Sequence, residues 1–208
     1  MTESKIYYRE IQKSDYPALA KLISDTWNYE KFCSPKIAAK MGAIYLRGCL
    51  ADQNFTCVAE KDGVPVGVIM GKSKKSEIAS IKHRAAQLPL ILSMMQSGEA
   101  REVMKIFKEM HVLYEQLLKE SGKAFDGELS FFAVKEDQRG TGIGKELFQR
   151  HLNEMKSHAV KNFYLYTDTS CNFGFYERQG MKRIGEKQGK FKLYSTNPIQ
   201  VYLYEYYF

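Results

Sequence analysis

The sequence lacks most of what would assign it to a membrane, a metal site or a repeat architecture. No apolar stretch approaches the length of a bilayer span. No internal repeat or low-complexity segment occurs. The opening residues, with Lys5-Ile6-Tyr7-Tyr8-Arg9 among them, are too polar for a secretory signal. Cysteines number 4, at Cys33, Cys49, Cys57 and Cys171, and they show no metal-ligand spacing. Reduced thiols in a cytoplasmic protein are the simplest expectation. His83, His111, His151 and His158 fall on expected helices, again without metal spacing, so no metal is anticipated. Two phosphate-binding patterns are also missing. A P-loop needs two glycines farther apart than Gly140 and Gly144, and Glu146 follows Lys145 where serine or threonine belongs. A dinucleotide fingerprint needs Gly-x-Gly-x-x-Gly inside a βαβ unit; the order here is Gly-x-Gly-x-Gly, without a clear unit of that kind.

What is present is a chain of 208 residues, long enough for a sizeable core, with one domain expected. The 31 basic and 24 acidic residues give a net charge of +7, which suits anionic ligands. The basic residues are scattered, apart from Lys72-Ser73-Lys74-Lys75, which reads as a solvated strand end. Neither nucleic acid nor a membrane is therefore specifically indicated.

The chain is organised around residues 128–155. Glu128-Leu129-Ser130-Phe131-Phe132-Ala133-Val134 is rich in aromatic and β-branched residues and reads as a strand. Leu147, Phe148, Leu152 and Met155 recur at the helical period. Between them lies the glycine-rich turn through Arg139, Gly140, Thr141, Gly142, Ile143, Gly144 and Lys145. Strand, glycine turn and helix together can hold a phosphate: glycines let the backbone turn and approach closely, and the helix offers unpaired N–H groups. Arg139 and Lys145 add positive charge at its two ends.

The remaining chain reads as a strand over 5–11, helices from Ser14-Asp15 and from Pro35, and a hairpin turning at Asp62-Gly63. A helical stretch over about 72–126 follows, one segment near Ser76–Gln96 with a break or kink at Pro89 and a second over Glu99–Ser121. A strand over 161–167, a short helix ending at Gly180, and paired strands at 181–186 and 200–208 complete it. The apolar stripe of the second helix suits packing on the domain, a homodimer face or a substrate lid.

Arg139-x-x-Gly142-x-Gly144 resembles the acyl-CoA pyrophosphate loop of the GNAT superfamily of N-acetyltransferases. Phe175-Tyr176-Glu177-Arg178-Gln179-Gly180-Met181 is similar to that superfamily's second signature, aromatic-Tyr-Glu-Lys-x-Gly-Phe. The two stand in the superfamily's order, each on the expected element. The resemblance covers residues 127–187 well and 1–71 more loosely. It implies an α/β (α+β) fold: a mixed, mostly antiparallel central sheet flanked by helices, in a single domain over 1–208 with an inserted helical hairpin at about 72–126. It implies acetyl-CoA as cosubstrate and an amine as acceptor. Arg139 to Lys145 would hold the pyrophosphate, and the backbone of Phe132, Ala133 and Val134 would pair with the pantetheine arm. Tyr176 would lie near the sulfur. Asn172 is a further candidate for coenzyme contact, although it stands four residues before the tyrosine where the family's asparagine often stands seven before; Thr169 holds the usual spacing.

Acetyl transfer to an amine requires proximity, loss of a proton from the amine, a donor for the developing oxyanion and a proton for the departing thiolate. Tyr176 suits the last role, because a phenol with an ordinary pKa of about 10 is protonated at neutral pH. Glu128 is the candidate base. It stands five residues before Ala133, as a glutamate does in the superfamily's histone acetyltransferases; a solvated strand start is its other reading, and Asp126 and Glu60 are weaker candidates. Cys171 has no histidine nearby in sequence to support a ping-pong route. Trp27, Tyr29 and Phe32 suit either core packing or an acceptor pocket. The leading expectation is an N-acetyltransferase working by direct attack in a ternary complex. A non-catalytic acyl-CoA-binding module and a nucleic-acid or protein interaction module are the alternatives. The acceptor itself is not legible, since residues 14–51 and 72–126 look generic.

Overall fold

The computed structural model describes residues 5–31, 33–74, 81–189 and 198–208. The expected start of the first inserted helix near Ser76, the end of the basic run at Lys75, and Phe32 lie outside the described residues. In chain order the elements are β1 (Ile6–Arg9), α1 (Tyr16–Thr26), α2 (Pro35–Asp52), β2 (Phe55–Lys61), β3 (Val64–Ser73), α3 (Ile81–Met95), α4 (Gly98–Glu120), β4 (Gly127–Val134), α5 (Ile143–Ser157), β5 (Asn162–Asp168), α6 (Gly174–Arg178), β6 (Lys182–Gly189) and β7 (Ile199–Tyr207).

Local chemistry explains most boundaries. Asp15 accepts the Gln12 amide at 2.7 Å and pairs with Arg9, and Pro17 sits in the first turn of α1. Asp62 and Gly63 both have positive φ, the requirement of the tight hairpin turn between β2 and β3. Ser97 caps α4 by accepting the Ala100 amide. Pro89 lies inside α3 without ending it, so the helix does not break there. The strand expected at 181–186 begins at Lys182 and continues to Gly189.

The strands form a 7-stranded sheet in the order β1-β2-β3-β4-β5-β7-β6. Every pairing is antiparallel except β4 with β5, which is parallel. One face is covered by α1 and α2, whose Leu19, Ile23, Ala38 and Leu46 meet Val58, Val68, Met70 and Phe131. The other face carries α5, with Leu147, Phe148, Leu152 and Met155 against Ile69, Phe163 and Leu165. The apolar stripe of α4 is buried in two places: Ala100 and Val103 join the α1–α2 core, while Ile106, Met110 and Leu117 pack with Tyr164, Val201 and Leu203.

His151 of α5 is fully buried. Its ring lies between Phe55 and Phe163, at 5.9 and 5.0 Å between ring centres. It can pack there because β3 has glycine beside it: a Cβ at Gly71 would meet His151 Cε1 at 2.3 Å. Neither ring nitrogen has a hydrogen-bond partner among the described residues. Burial therefore pushes the imidazole pKa down to about 3. The unfolded chain, with an ordinary histidine value near 6.5, takes up a proton that the folded chain refuses. Stability should be intact above about pH 6.5 and fall as the pH drops from there toward 3. Thermal melts between pH 7 and 4 should show a shallower acid decline for His151→Leu than for the native chain; equal slopes would refute the assignment.

Candidate active site

β4 and β5 are hydrogen-bonded neighbours over two residue pairs only, Gly127↔Phe163 and Glu128↔Tyr164. By contrast, β5 and β7 stay in register from Asn162↔Tyr207 to Asp168↔Val201. Beyond Glu128 the sheet is therefore split. A register shift between β3 and β4, where Met70 faces Phe131 and Gly71 faces Leu129, leaves Ser130 as the extra residue at the start of the split. From there to Val134, β4 remains bonded to β3 on one edge and meets no strand on the other among the described residues. Phe132, Ala133 and Val134 lie on this stretch.

The glycine-rich turn closes one end of the split. Gly140 and Gly142 have φ of +80° and +90°, the left-handed region, with open space where a side chain would project. Gly142 is the residue before the first turn of α5, and the first helical bond runs from the Glu146 amide to the Gly142 carbonyl. The amides of Ile143, Gly144 and Lys145 are thus left pointing out of the helix end. The Thr141 hydroxyl donates to the Gln138 carbonyl at 2.7 Å, and Arg139 Nε donates to the Val134 carbonyl at 3.3 Å. A Cβ at Gly144 would sit 3.5 Å from Phe132 and 3.8 Å from Phe175, so the turn abuts both β4 and α6. These are donors and close-approach positions suited to a diphosphate.

Tyr176 stands on α6, its ring 6.4 Å from Phe132. The helix is anchored one residue later: the Glu177 carboxylate accepts from Tyr204 at 2.7 Å and from Arg183 at 2.9 Å. Burial, with Cys171 and Asp168 adding, holds the Tyr176 phenol above its ordinary value. It lines a cavity of about 590 Å³ that also takes in Cys171 and Asp168, Glu128 to Phe132 of β4, and residues of α2, α3 and α4. Tyr176 and Glu128, far apart in sequence, share this cavity.

Glu128 is not a solvated strand start. Its Oε2 accepts from the Tyr164 hydroxyl at 2.8 Å and lies 2.7 Å from Lys72 Nζ. Both partners meet the same oxygen, and Oε1 has no partner among the described residues. The weaker candidates are engaged away from the cavity: Glu60 pairs with Arg9, and Asp126 accepts the Lys161 amide. Lys72 also departs from the reading of a solvated basic run. It faces Glu128 directly across the β3–β4 ladder and lines the cavity. The two residues are separated by α3 and α4 in sequence, so only the strand pairing brings them together. Trp27 lines the cavity, whereas Tyr29 is fully buried in the core. Asn172 is exposed, opens the turn into α6, and does not line the cavity; Thr169 accepts the Gln200 amide.

A family model, the Acetyltransferase (GNAT) family, matches residues 16–181. The chain belongs to this acetyltransferase family. Among solved structures, a Streptococcus mutans protein, smu.2055, is 16% identical, with 97% of this chain and 98% of that one covered and a TM-score of 0.57. Ard1 from Thermoplasma volcanium is 14% identical over 97% of each chain, TM-score 0.54. The ribosomal-protein-S18-alanine N-acetyltransferase of Escherichia coli is 10% identical over 97% of this chain and 92% of its own, TM-score 0.54. At these identities the structures speak for a shared GNAT fold. No curated protein sequence matches the chain. Among the described residues no cluster of potential metal ligands occurs, and no helix is long and apolar enough to cross a membrane.

GNAT acetyltransferases draw their acetyl group from acetyl-CoA, and the orphan amides, left-handed glycines and free β4 edge fit that cosubstrate. A covalent cysteine route fits poorly. Burial and Asp168 push the Cys171 thiol up to about 11, so almost none is thiolate at neutral pH. Alkylation of Cys171 at pH 7.5, followed by mass spectrometry, should run on the order of a hundredfold slower than for an ordinary thiol of pKa about 8.5. Labelling at the ordinary rate would reopen the ping-pong route.

Proposed function

We propose that the protein transfers the acetyl group of acetyl-CoA to a primary amine by direct attack in a ternary complex. The observation that carries this reading is the split between β4 and β5, which runs from the glycine turn to the cavity shared by Tyr176 and Glu128. The amides of residues 140–145, with Arg139 and Lys145, bind the pyrophosphate. The backbone edge of Phe132, Ala133 and Val134 pairs with the pantetheine arm, which directs the thioester toward Tyr176. We assign no coenzyme contact to Asn172, which faces solvent.

Glu128 takes a proton from the incoming ammonium through Oε1, while Lys72 and Tyr164 hold Oε2 and fix the carboxylate. The amine nitrogen forms a bond to the acetyl carbon and the carbon–sulfur bond breaks. A backbone N–H of β4 stabilises the oxyanion. Tyr176 gives its proton to the departing thiolate and regains one from the nitrogen's second proton through solvent. The products are the N-acetylated amine, CoA and one proton released from the original ammonium. We read the whole of 1–208 as one domain in which α3 and α4 form an insertion. All four cysteines are free thiols, which together with the nucleotide cosubstrate suits a cytoplasmic setting.

Two substitutions separate chemistry from binding. Tyr176→Phe should lower kcat by about a hundredfold with acetyl-CoA affinity nearly unchanged, measured by CoA release and calorimetry. Gly142→Ala places a side chain in left-handed backbone at a cost of about 1–2 kcal/mol, so acetyl-CoA should bind roughly 5- to 30-fold more weakly. Unchanged activity in both variants would sink the site assignment. Tight acetyl-CoA binding without turnover on any amine would identify a binding module instead.

A further inference from the structure

The acceptor half of the cavity is built from rings. Trp27 lies 4.7 Å from Tyr45 and 5.5 Å from Phe131, centre to centre, and Tyr45 is 5.7 Å from Phe131. Across from them, Tyr114 stacks on Tyr166 at 4.6 Å and 13°. Phe107 of α4 and Ile91 of α3 close the side away from the sheet. An acceptor in an extended polypeptide needs a trough open along its length. This space instead has helical walls from α1–α2, α3 and α4 against the split sheet, and the cavity of about 590 Å³ also holds the end at Tyr176, so the share left for an acceptor is that of a small molecule.

The charge in the cavity is opposite to that of the chain. Asp52, Glu115, Glu128 and Asp168 line it against Lys72 and His111, although the protein as a whole carries +7. Asp52 is paired with Arg84, and Asp168 accepts from Ser170. Glu115 and Glu128 flank the Tyr164–Tyr166 pair and push both phenols above their ordinary values, after burial itself. Glu115 and Glu128 therefore stand beside the Tyr164–Tyr166 part of the aromatic lining. Aromatic faces attract cations as well as flat rings.

We infer that the acceptor is a small arylalkylamine, a primary amine on a short linker that carries a flat apolar ring. The ring lies against the wall that Trp27, Tyr45, Phe107 and Phe131 present to the cavity, and the ammonium is drawn toward Glu128. This assignment rests on the acetyltransferase reading of the same site and adds the class of amine to it. An aliphatic diamine would meet the rings only through its second ammonium and leave most of their apolar surface uncovered, and an extended peptide would meet α3 and α4.

The chain has a single tryptophan, Trp27, at the wall of the cavity, so its fluorescence reports occupancy without any need for turnover. The test titrates 2-phenylethylamine, 1,4-diaminobutane and a short peptide with a free N-terminus and a lysine, following Trp27 emission and acetyl-CoA-dependent CoA release. Phenylethylamine should change the emission saturably, and its kcat/KM should exceed that of the diamine and the peptide by about tenfold or more. Phe107→Ala should raise KM for phenylethylamine by about tenfold while KM for acetyl-CoA stays constant. Ile91→Phe, which fills the cavity from α3, should do the same if Phe107→Ala fails to fold. Preference for the diamine or the peptide, with transfer intact, overturns the amine class and leaves the acetyltransferase reading standing. Saturable phenylethylamine binding without transfer supports the ligand class and overturns that reading. Neither binding nor transfer overturns both.

Discussion

The site depends on the failure of two neighbouring strands to stay together. Buried backbone amides and carbonyls need partners, and an interior strand normally finds them on both edges. β4 has β3 along its whole length but β5 at only two residues, Gly127 and Glu128. The extra residue at Ser130 marks where the pairing stops. From that point the edge of β4 has no strand partner among the described residues. Such an edge suits an elongated ligand with amides of its own, which is why we propose it for the pantetheine arm of acetyl-CoA. The glycine turn then follows from the same geometry, because α5 starts where β4 ends and presents its unpaired amides at the mouth of the split.

The polar groups along that split are sorted by protonation. On the α6 side stand neutral donors: burial keeps the Tyr176 phenol and the Cys171 thiol protonated. On the opposite wall stands Glu128, with one oxygen held by Lys72 and Tyr164. A reaction that removes a proton from one reactant and returns one to another needs this separation of acceptor and donor, since a single group cannot be in both states at once. The lysine keeps the carboxylate from being a lone buried charge and fixes its direction.

Much of this arrangement was legible before any coordinates. The glycine turn and the Phe-Tyr-Glu-Arg-Gln-Gly-Met segment carry their chemistry in local patterns, because a positive φ and a helix start are decided by adjacent residues. Sequence placed Glu128 and Tyr176 as candidates through the family resemblance. It did not reveal that Lys72 holds Glu128, since the two meet only through a strand register that skips over α3 and α4. Tyr164 was hidden for a similar reason: in sequence it is one aromatic residue in a strand, and its hydroxyl finds Glu128 only through the parallel β4–β5 pair. Pro89 left break and kink both open, and the break does not occur. An internal proline removes one helical bond, but α3 is long enough for its neighbours to carry the helix past it. His151 read as an ordinary helical histidine, and only the glycine opposite it shows why it is buried without a partner.

A sheet held across its middle by two residue pairs needs other ties, and α4 is one of them. Its first turns lie in the core shared with α1, α2 and β2–β4, and its later turns pack on β5 and β7. Each end is also tied by polar groups: Glu99 accepts from the Ser34 amide and hydroxyl, while Glu120 pairs with Lys187 of β6. The helix therefore crosses the split and fastens one half of the sheet to the other. It also supplies Met104, Phe107 and Tyr114 to the cavity wall. A change in the spacing of the two halves would move this wall, so the width of the split and the shape of the cavity are set by one element. Exposed ion pairs add little to such a strap, and the buried stripe of Val103, Ile106, Met110 and Leu117 supplies most of its hold. The helical segment between β3 and β4 is in this sense part of the site's frame, joining the two halves that the missing strand pairing leaves apart.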